Sequence, residues 1–227
     1  MSTQNKILRM AATIAVTFLL CTATADAAEE GFTALFNGEN LDGWIGATKG
    51  YLVEDGTLVC PQKGGGKLLT EAQYSNFVFR FEFQLTAGAN NGLGIRAPVG
   101  GDAAYSGMEL QILDNTAEKY AKLKPYQYHG SVYGIAPAKR GFLKPVGEWN
   151  AQEVRCQGRN ITVILNGETI VDVNLDEVAP GGKTIDGRNH PGMSRTTGHI
   201  GFLGHGAHVT FRNIRIKELP ADEKSEK

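Results

Sequence analysis

The stretch Phe77-Val78-Phe79-Arg80-Phe81-Glu82-Phe83-Gln84-Leu85 decides the fold. In an extended chain successive side chains point to opposite faces. Phe77, Phe79, Phe81, Phe83 and Leu85 therefore share one side, and Val78, Arg80, Glu82 and Gln84 the other. Five large apolar side chains on one face demand a packed partner sheet. The polar side is left for solvent or for binding.

Further strands flank this one. Tyr51 to Val53 and Thr57 to Cys60 read as a hairpin across Glu54-Asp55-Gly56, because Asp-Gly supplies the positive φ that a tight turn needs. Glu153 to Cys156, Ile161 to Leu165 and Thr169 to Val173 form a meander whose second turn is Asn166-Gly167, the strongest short hairpin signal. Additional strands are expected at Phe32–Phe36, Leu93–Arg96, Met108–Leu113, Ser131–Ile135, Ile200–Leu203 and Val209–Ile216, the last with a bulge at Asn213. Asn90-Asn91-Gly92 reads as a turn, Lys63 to Lys67 as a plain Gly-rich loop, Ala117 to Leu123 as one or two helical turns, and residues 176 to 197 as a long loop. Trp44 and Trp149 are expected in the core. Many short strands and almost no helix predict an all-β fold, an antiparallel β-sandwich of jelly-roll type.

Composition sets outer bounds. The chain has 227 residues, a formal net charge of −1 and 29 glycines. That charge balance argues against nucleic acid, which calls for a basic patch. The size suits one β-rich domain. Residues 1–27 read as a signal peptide: Lys6 and Arg9 form the basic region, Ala11 to Leu20 the apolar run, and Ala25-Asp26-Ala27 the cleavage site. A lipoprotein reading would use Cys21, but the bulky Leu20 precedes it. The domain then spans residues 28–219, and residues 220–227 form a charged tail. No stretch reads as a transmembrane segment. An exported, periplasmic or secreted protein is expected. Cys60 and Cys156 either pair in an oxidising compartment or remain two buried thiols.

The chemistry-bearing candidates start in Met108 to Leu113. Glu109 and Gln111 share a face opposite Met108, Leu110 and Ile112. A carboxylate and an amide side by side on a sheet suit a sugar better than a core, although a solvated outer face would carry the same pattern. Asp114, of opposite parity at the strand end, binds substrate or caps a turn. No Gly-x-Ser-x-Gly elbow appears, which removes a serine-hydrolase reading. His190, His199 and His208 show no zinc-like spacing.

Taken together, Leu35-Phe36-Asn37-Gly38, Leu41-Asp42-Gly43-Trp44, Glu54 to Leu58, Asn91-Gly92, Gly107 to Asp114, Gly130 to Gly134, Glu148-Trp149-Asn150, Asn166-Gly167 and His205-Gly206 through Phe211 to Ile214 give the chain a resemblance. It resembles the 3-keto-disaccharide hydrolase domain family over roughly residues 31 to 219. One departure is Leu203-Gly204, where many members carry Gln shortly before the His-Gly pair. The resemblance implies a concanavalin A-like jelly roll with a concave sugar groove. It also implies cleavage of glycosides whose C3 hydroxyl has been oxidised to a ketone, which acidifies the neighbouring C2–H. Such chemistry needs a base, a donor or cation for the enolate oxygen, and help for the leaving group.

With the resemblance, His205 becomes the first choice for acid or base, since an unperturbed imidazole titrates near 6.5. Glu109 is the second catalytic candidate. Arg96 is expected to hold the keto oxygen or to pair with a carboxylate. Gln111, Asp114, His129, Tyr133 and Lys144 are expected to bind substrate, with Tyr126 and Tyr128 available to stack on a sugar ring. The sequence establishes no cofactor; a divalent metal at Glu109, Asp114 and His205 would suit an enolate, and spacing alone does not establish one. The expected partner is a small carbohydrate. The alternative reading is a lectin-like module with the same groove and no catalysis, or an adhesion domain of the cell envelope. The leader reading predicts that the exported protein begins at Ala28; an intact mass showing a lipid on Cys21 would overturn it.

Overall fold

The computed structural model describes residues 29–221. The expected signal peptide and residues 222–227 lie outside the described residues. In chain order the strands are β1 (Thr33–Ala34), β2 (Trp44–Gly46), β3 (Leu52–Glu54), β4 (Thr57–Cys60), β5 (Gly65–Thr70), β6 (Phe77–Leu85), β7 (Asn90–Ala97), β8 (Met108–Leu113), β9 (Trp149–Gln157), β10 (Asn160–Leu165), β11 (Glu168–Asn174), β12 (His199–His205) and β13 (Val209–Glu218). Two four-residue helices accompany them, α1 (Ala103–Ser106) and α2 (Leu175–Val178).

The strands form two antiparallel sheets. One runs β11-β10-β9-β6-β13-β4-β3, with β1 also paired to β13. The other runs β2-β5-β12-β7-β8. The long β13 explains the extra partner. Val209 to Phe211 pairs with β4 at one end, and Arg215 and Ile216 pair with β1 at the other. The bulge expected at Asn213 lies between these segments, with φ 52° and a shift in register against β6. Both hairpin turns are present: Asp55-Gly56 and Asn166-Gly167 each place two successive residues at positive φ, the signature of a primed turn.

Between the sheets lie Phe77, Phe79, Phe81, Phe83 and Leu85 of β6, all buried. Phe81 meets Phe202 of β12 edge-on at 5.6 Å, and Phe202 stacks on Phe211 of β13 at 3.9 Å. Burying each such ring contributes about 1.5–3 kcal/mol. On the other face of β6, Arg80 binds Glu153 at 2.6 Å as well as Glu29, and Glu82 binds Arg212 at 2.8 Å. These half-exposed pairs add little. The sandwich is held by its aromatic filling.

Several local readings change. The Gly-rich segment at residues 63–67 is a loop only at its start; Gly65 to Lys67 already belongs to β5. Gly65 lies so close to β12 that a Cβ there would sit 2.7 Å from the backbone of Gly204, so only glycine fits. Asn90-Asn91-Gly92 is not a turn but the first half of β7. Ser131 to Ile135 is not a strand; Val132 makes single bridges to Leu110 and Ala136. Residues 176–197 hold short helical turns within the expected loop. Trp44 is in the core, whereas Trp149 is half-buried beneath the guanidinium of Arg212, 4.0 Å from the ring centre.

Cys60 and Cys156 are buried free thiols. Cys60 sits beside Val209, which faces Leu85 of β6, whereas Cys156 faces Phe77 of the same strand. Phe77 and Leu85 are the two ends of β6, about 26 Å apart at the usual strand rise. A bridge needs Cα atoms within about 7 Å. Burial pushes the Cys156 thiol up to about 12, against a smaller opposing effect of Arg96.

The central position of Phe81 gives a direct check. Phe81→Ala is expected to destabilise the fold by about 3–5 kcal/mol, and Gln84→Ala by less than about 0.5 kcal/mol; urea unfolding of both variants measures the contrast.

Candidate active site

The site is built on the outer face of the second sheet. Strand β8 turns Met108, Leu110 and Ile112 into the core, which sends Glu109 and Gln111 outward. Outward is not exposed here: Glu109 and Gln111 retain only 6% and 7% of their accessible surface. The segment after residue 125 runs along the edge of β8 and covers it. Tyr133 donates its backbone N–H to Glu109 O, and Gln111 exchanges backbone bonds with Gly130 and Ser131.

His205 ends β12, and β7 lies between β12 and β8. The two side chains meet over this intervening strand, with His205 Nε2 3.7 Å from Glu109 Oε1. They meet because β7 carries Gly92 at that point. A Cβ on Gly92 would fall 1.9 Å from Glu109 Oε1. The missing side chain is the space the carboxylate occupies.

The pair is electrostatically unequal. Glu109 Oε1 is buried and accepts no hydrogen bond; 3.7 Å is an ion-pair distance but too long for a hydrogen bond. A buried acceptor without a donor is costly. The His205 side chain is 51% exposed. The adjacent Glu109 carboxylate holds His205 above the usual imidazole range, burial opposes this, and Asp102 adds a smaller upward push. Solvent damps these effects on so open a ring.

Together they border a pocket of about 190 Å³ lined also by Lys67, Asp102, Ala103 and Leu203. Sites for drug-sized ligands run about 300–1,000 Å³, so this one takes a single small unit. Larger hollows exist: one of about 600 Å³ beside Glu82 and Arg212, and one of about 720 Å³ beside Asp114, Arg140 and Lys144. Two of their carboxylates are already bonded, Glu82 to Arg212 and Asn213, Asp114 to Gly88 and Thr116. The smaller pocket is the one that joins a buried, unbonded carboxylate oxygen to an imidazole.

Of the residues singled out in the sequence, the fold brings Glu109 and His205 together at this pocket, whereas Gln111 and Tyr133 are neighbours of Glu109 that do not line it. Gln111 shares the outer face, its Oε1 accepting from Ile112 N at 3.2 Å. The Tyr133 hydroxyl accepts from Gln127 Nε2 at 3.0 Å, and its ring meets Tyr126 edge-on.

Five others lie elsewhere. Arg96 shares parity with Gly92 and Gly94 but has φ 47°. That left-handed residue shifts the alternation by one, so Ala97 joins Leu69 and Leu203 on the outer face. Arg96 is instead buried, donating to the carbonyls of Ser75 and Gly158 at 3.0 and 2.9 Å. Asp114 caps a turn: Oδ2 accepts from Gly88 N, and Oδ1 from Thr116 N and Oγ1. Burial raises its pKa, but these bonds and Lys119 outweigh burial and hold it low. His129 faces the core, stacked 5.1 Å from Phe83, with Nδ1 accepting from Leu113 N. Burial pushes it down to about 4, so its imidazole is neutral. Lys144 donates to Trp149 O at the edge of the 720 Å³ hollow. Tyr128 is buried under Arg140.

The metal set of Glu109, Asp114 and His205 therefore does not assemble. Among the described residues no three His, Cys, Asp or Glu side chains converge as ligands.

Two pocket residues escaped the sequence reading. Lys67 was hidden in the Gly-rich run. Asp102 stands in a loop, where its side chain caps α1 by accepting from Ala104 N at 3.0 Å. No local signal marks either.

Comparison with known proteins bears on this geometry. The model of the 3-keto-alpha-glucoside-1,2-lyase-like domain matches residues 31–217. The chain belongs to that family. A relative named 3-keto-disaccharide hydrolase, from Bacteroides thetaiotaomicron, is 27% identical, covering 84% of this chain and 79% of its own. A Parabacteroides distasonis crystal structure, provisionally named a glycosyl hydrolase, superposes with TM-score 0.74 at 31% identity, covering 83% of this chain and 99% of its own. A second from the same organism gives 0.72 at 28%, covering 84% and 95%. Family membership places this lyase-like domain among carbohydrate hydrolases, and its sandwich is that of its relatives. No helix among the described residues is long and apolar enough to cross a membrane.

The raised His205 pKa has a testable origin. In Glu109→Gln the His205 titration, followed by NMR, is expected to move down towards about 6.5. Because the folded pKa is raised, the stability this pairing gives is complete below about pH 6.5 and disappears as pH rises through the folded value. Wild type and Glu109→Gln should therefore converge in this contribution at alkaline pH.

Proposed function

We propose that this protein cleaves 3-keto-glycosides by elimination followed by hydration, with Glu109 as base and His205 as acid. The observation that carries the reading is the buried Glu109 Oε1, without a hydrogen-bond donor, 3.7 Å from His205 Nε2. The buried carboxylate suits taking a proton from carbon, which offers it no competing hydrogen bond in the resting site. The half-open imidazole, whose proton affinity its carboxylate neighbour raises, suits giving a proton to oxygen.

The steps balance. Glu109 takes the C2 proton; the C2–H electrons form C2=C3, and the carbonyl π pair moves to the C3 oxygen. That pair returns, C1=C2 forms, and the C1–O bond breaks. The departing oxygen takes the His205 proton. Water then adds at C1 and C2 regains a proton, giving a 3-keto sugar and a free alcohol. Positioned acids and bases each contribute about 10²–10⁴-fold. Gln111, on the same face as Glu109, would bind sugar hydroxyls beyond the pocket. The leader-like residues 1–27 support action after export, on a small carbohydrate.

Turnover of a 3-keto-disaccharide tests the reading. Glu109→Gln and His205→Ala should each lower kcat by about a hundredfold or more. Deuterium at C2 should slow the wild type where proton removal limits the rate. The unoxidised disaccharide should be inert, because its C2–H is not acidic. Rapid cleavage of that sugar would refute the mechanism, and binding without turnover would make the protein a lectin-like module.

A further inference from the structure

The elimination just described collects negative charge on the C3 oxygen, and with Arg96 buried elsewhere nothing yet holds it. We propose that Lys67 is the catalytic donor to that oxygen, an assignment that rests on the 3-keto reading.

Three observations meet at this residue. First, register places it. Lys67 of β5 pairs with Leu203 of β12, and Gly65 pairs with His205. Paired residues share a face, and Leu203 and His205 are two apart in β12, so Lys67 emerges on the same side as His205. It lines the same 190 Å³ pocket as Glu109 and His205. Second, its ammonium is already fixed. Nζ donates to Val99 O at 2.7 Å and to Gly101 O at 2.6 Å. An ammonium has three donors; the third is uncommitted. Third, both partners are neutral carbonyls, and Lys67 forms no ion pair among the described residues. Its positive charge is thus available to an oxyanion. A donor fixed before reaction costs no reorganisation when charge develops, the condition under which such groups act most strongly. Of the residues bordering the pocket, Lys67 and His205 alone can carry positive charge, and His205 serves the leaving oxygen.

The same two bonds strap the loop at residues 98–102, so a purely structural role must be told apart from a catalytic one. Lys67→Met removes charge and bonds; Lys67→Gln removes the charge and keeps an amide that can donate to both carbonyls. Each is assayed for turnover of the 3-keto-disaccharide and for competitive inhibition by two probes. Ascorbate is a ring enediolate, ionised at neutral pH, that mimics the enolate; the unoxidised disaccharide is its neutral counterpart. Both variants should lose about a hundredfold in kcat, the scale of one oxyanion donor. Ascorbate inhibition should weaken about tenfold or more, with the neutral sugar changing less than about threefold. Should Lys67→Met fail to fold, Lys67→Gln carries the test alone. Equal weakening of both probes, or kcat retained in Lys67→Gln, would overturn the assignment and leave Lys67 as a strap. Failure of the 3-keto reading shows separately, as a wild type that does not turn over the ketone at all.

Discussion

The molecule depends on one contact surface, the aromatic layer where Phe81 of β6 meets Phe202 of β12 and Phe202 stacks on Phe211. Because a strand has only two faces, committing the inner face of the second sheet to this layer leaves its outer face for polar chemistry. Glu109 lies between Met108 and Leu110, both fully buried. A slip of one residue in β8 would drive the carboxylate into the aromatic layer and expel both neighbours. The large penalty for burying an unpaired charge in an apolar core thus helps to fix the register that presents Glu109 to the pocket.

The pocket itself is made by subtraction. Glu109 and His205 stand on strands separated by β7, and they meet because Gly92 leaves the intervening position empty. Their different exposure then separates their roles. The Glu109 carboxylate, lodged in the space Gly92 leaves, keeps an oxygen without a hydrogen bond. The His205 imidazole, at a strand end, stays open to solvent. The close approach of Gly65 and Gly204 brings β5 against the end of β12, which sets Lys67 beside the pair.

What the sequence made legible was local. The alternation in β6, the primed turns at Asp55-Gly56 and Asn166-Gly167 and the bulge at Asn213 depend on neighbouring residues, and each is where its own chemistry puts it. Glu109 and Gln111 were legible by parity for the same reason. Arg96 was not, because one left-handed residue reverses parity and no side-chain pattern announces it. His129 and Asp114 misled because a polar residue at a strand end reads alike whether it binds a ligand, a core amide or a turn. The β5 start at Gly65 was hidden because its need for glycine comes from Gly204 on another strand, far away in sequence.

Asp102 decides between two kinds of glycoside chemistry. An ordinary glycosidase needs two carboxyl groups about 5–9.5 Å apart, one kept protonated as acid. Asp102 and Glu109 both border the pocket, so the count alone would allow it. But Asp102 is exposed, and its Oδ1 is engaged in capping α1 by accepting from Ala104 N. Its influence on the site is to raise His205 further. The group poised to donate is therefore an imidazole, and the unoccupied acceptor is a single buried carboxylate. That combination favours moving a proton from carbon to oxygen over direct displacement at an anomeric centre, which is why the proposed reaction runs by elimination.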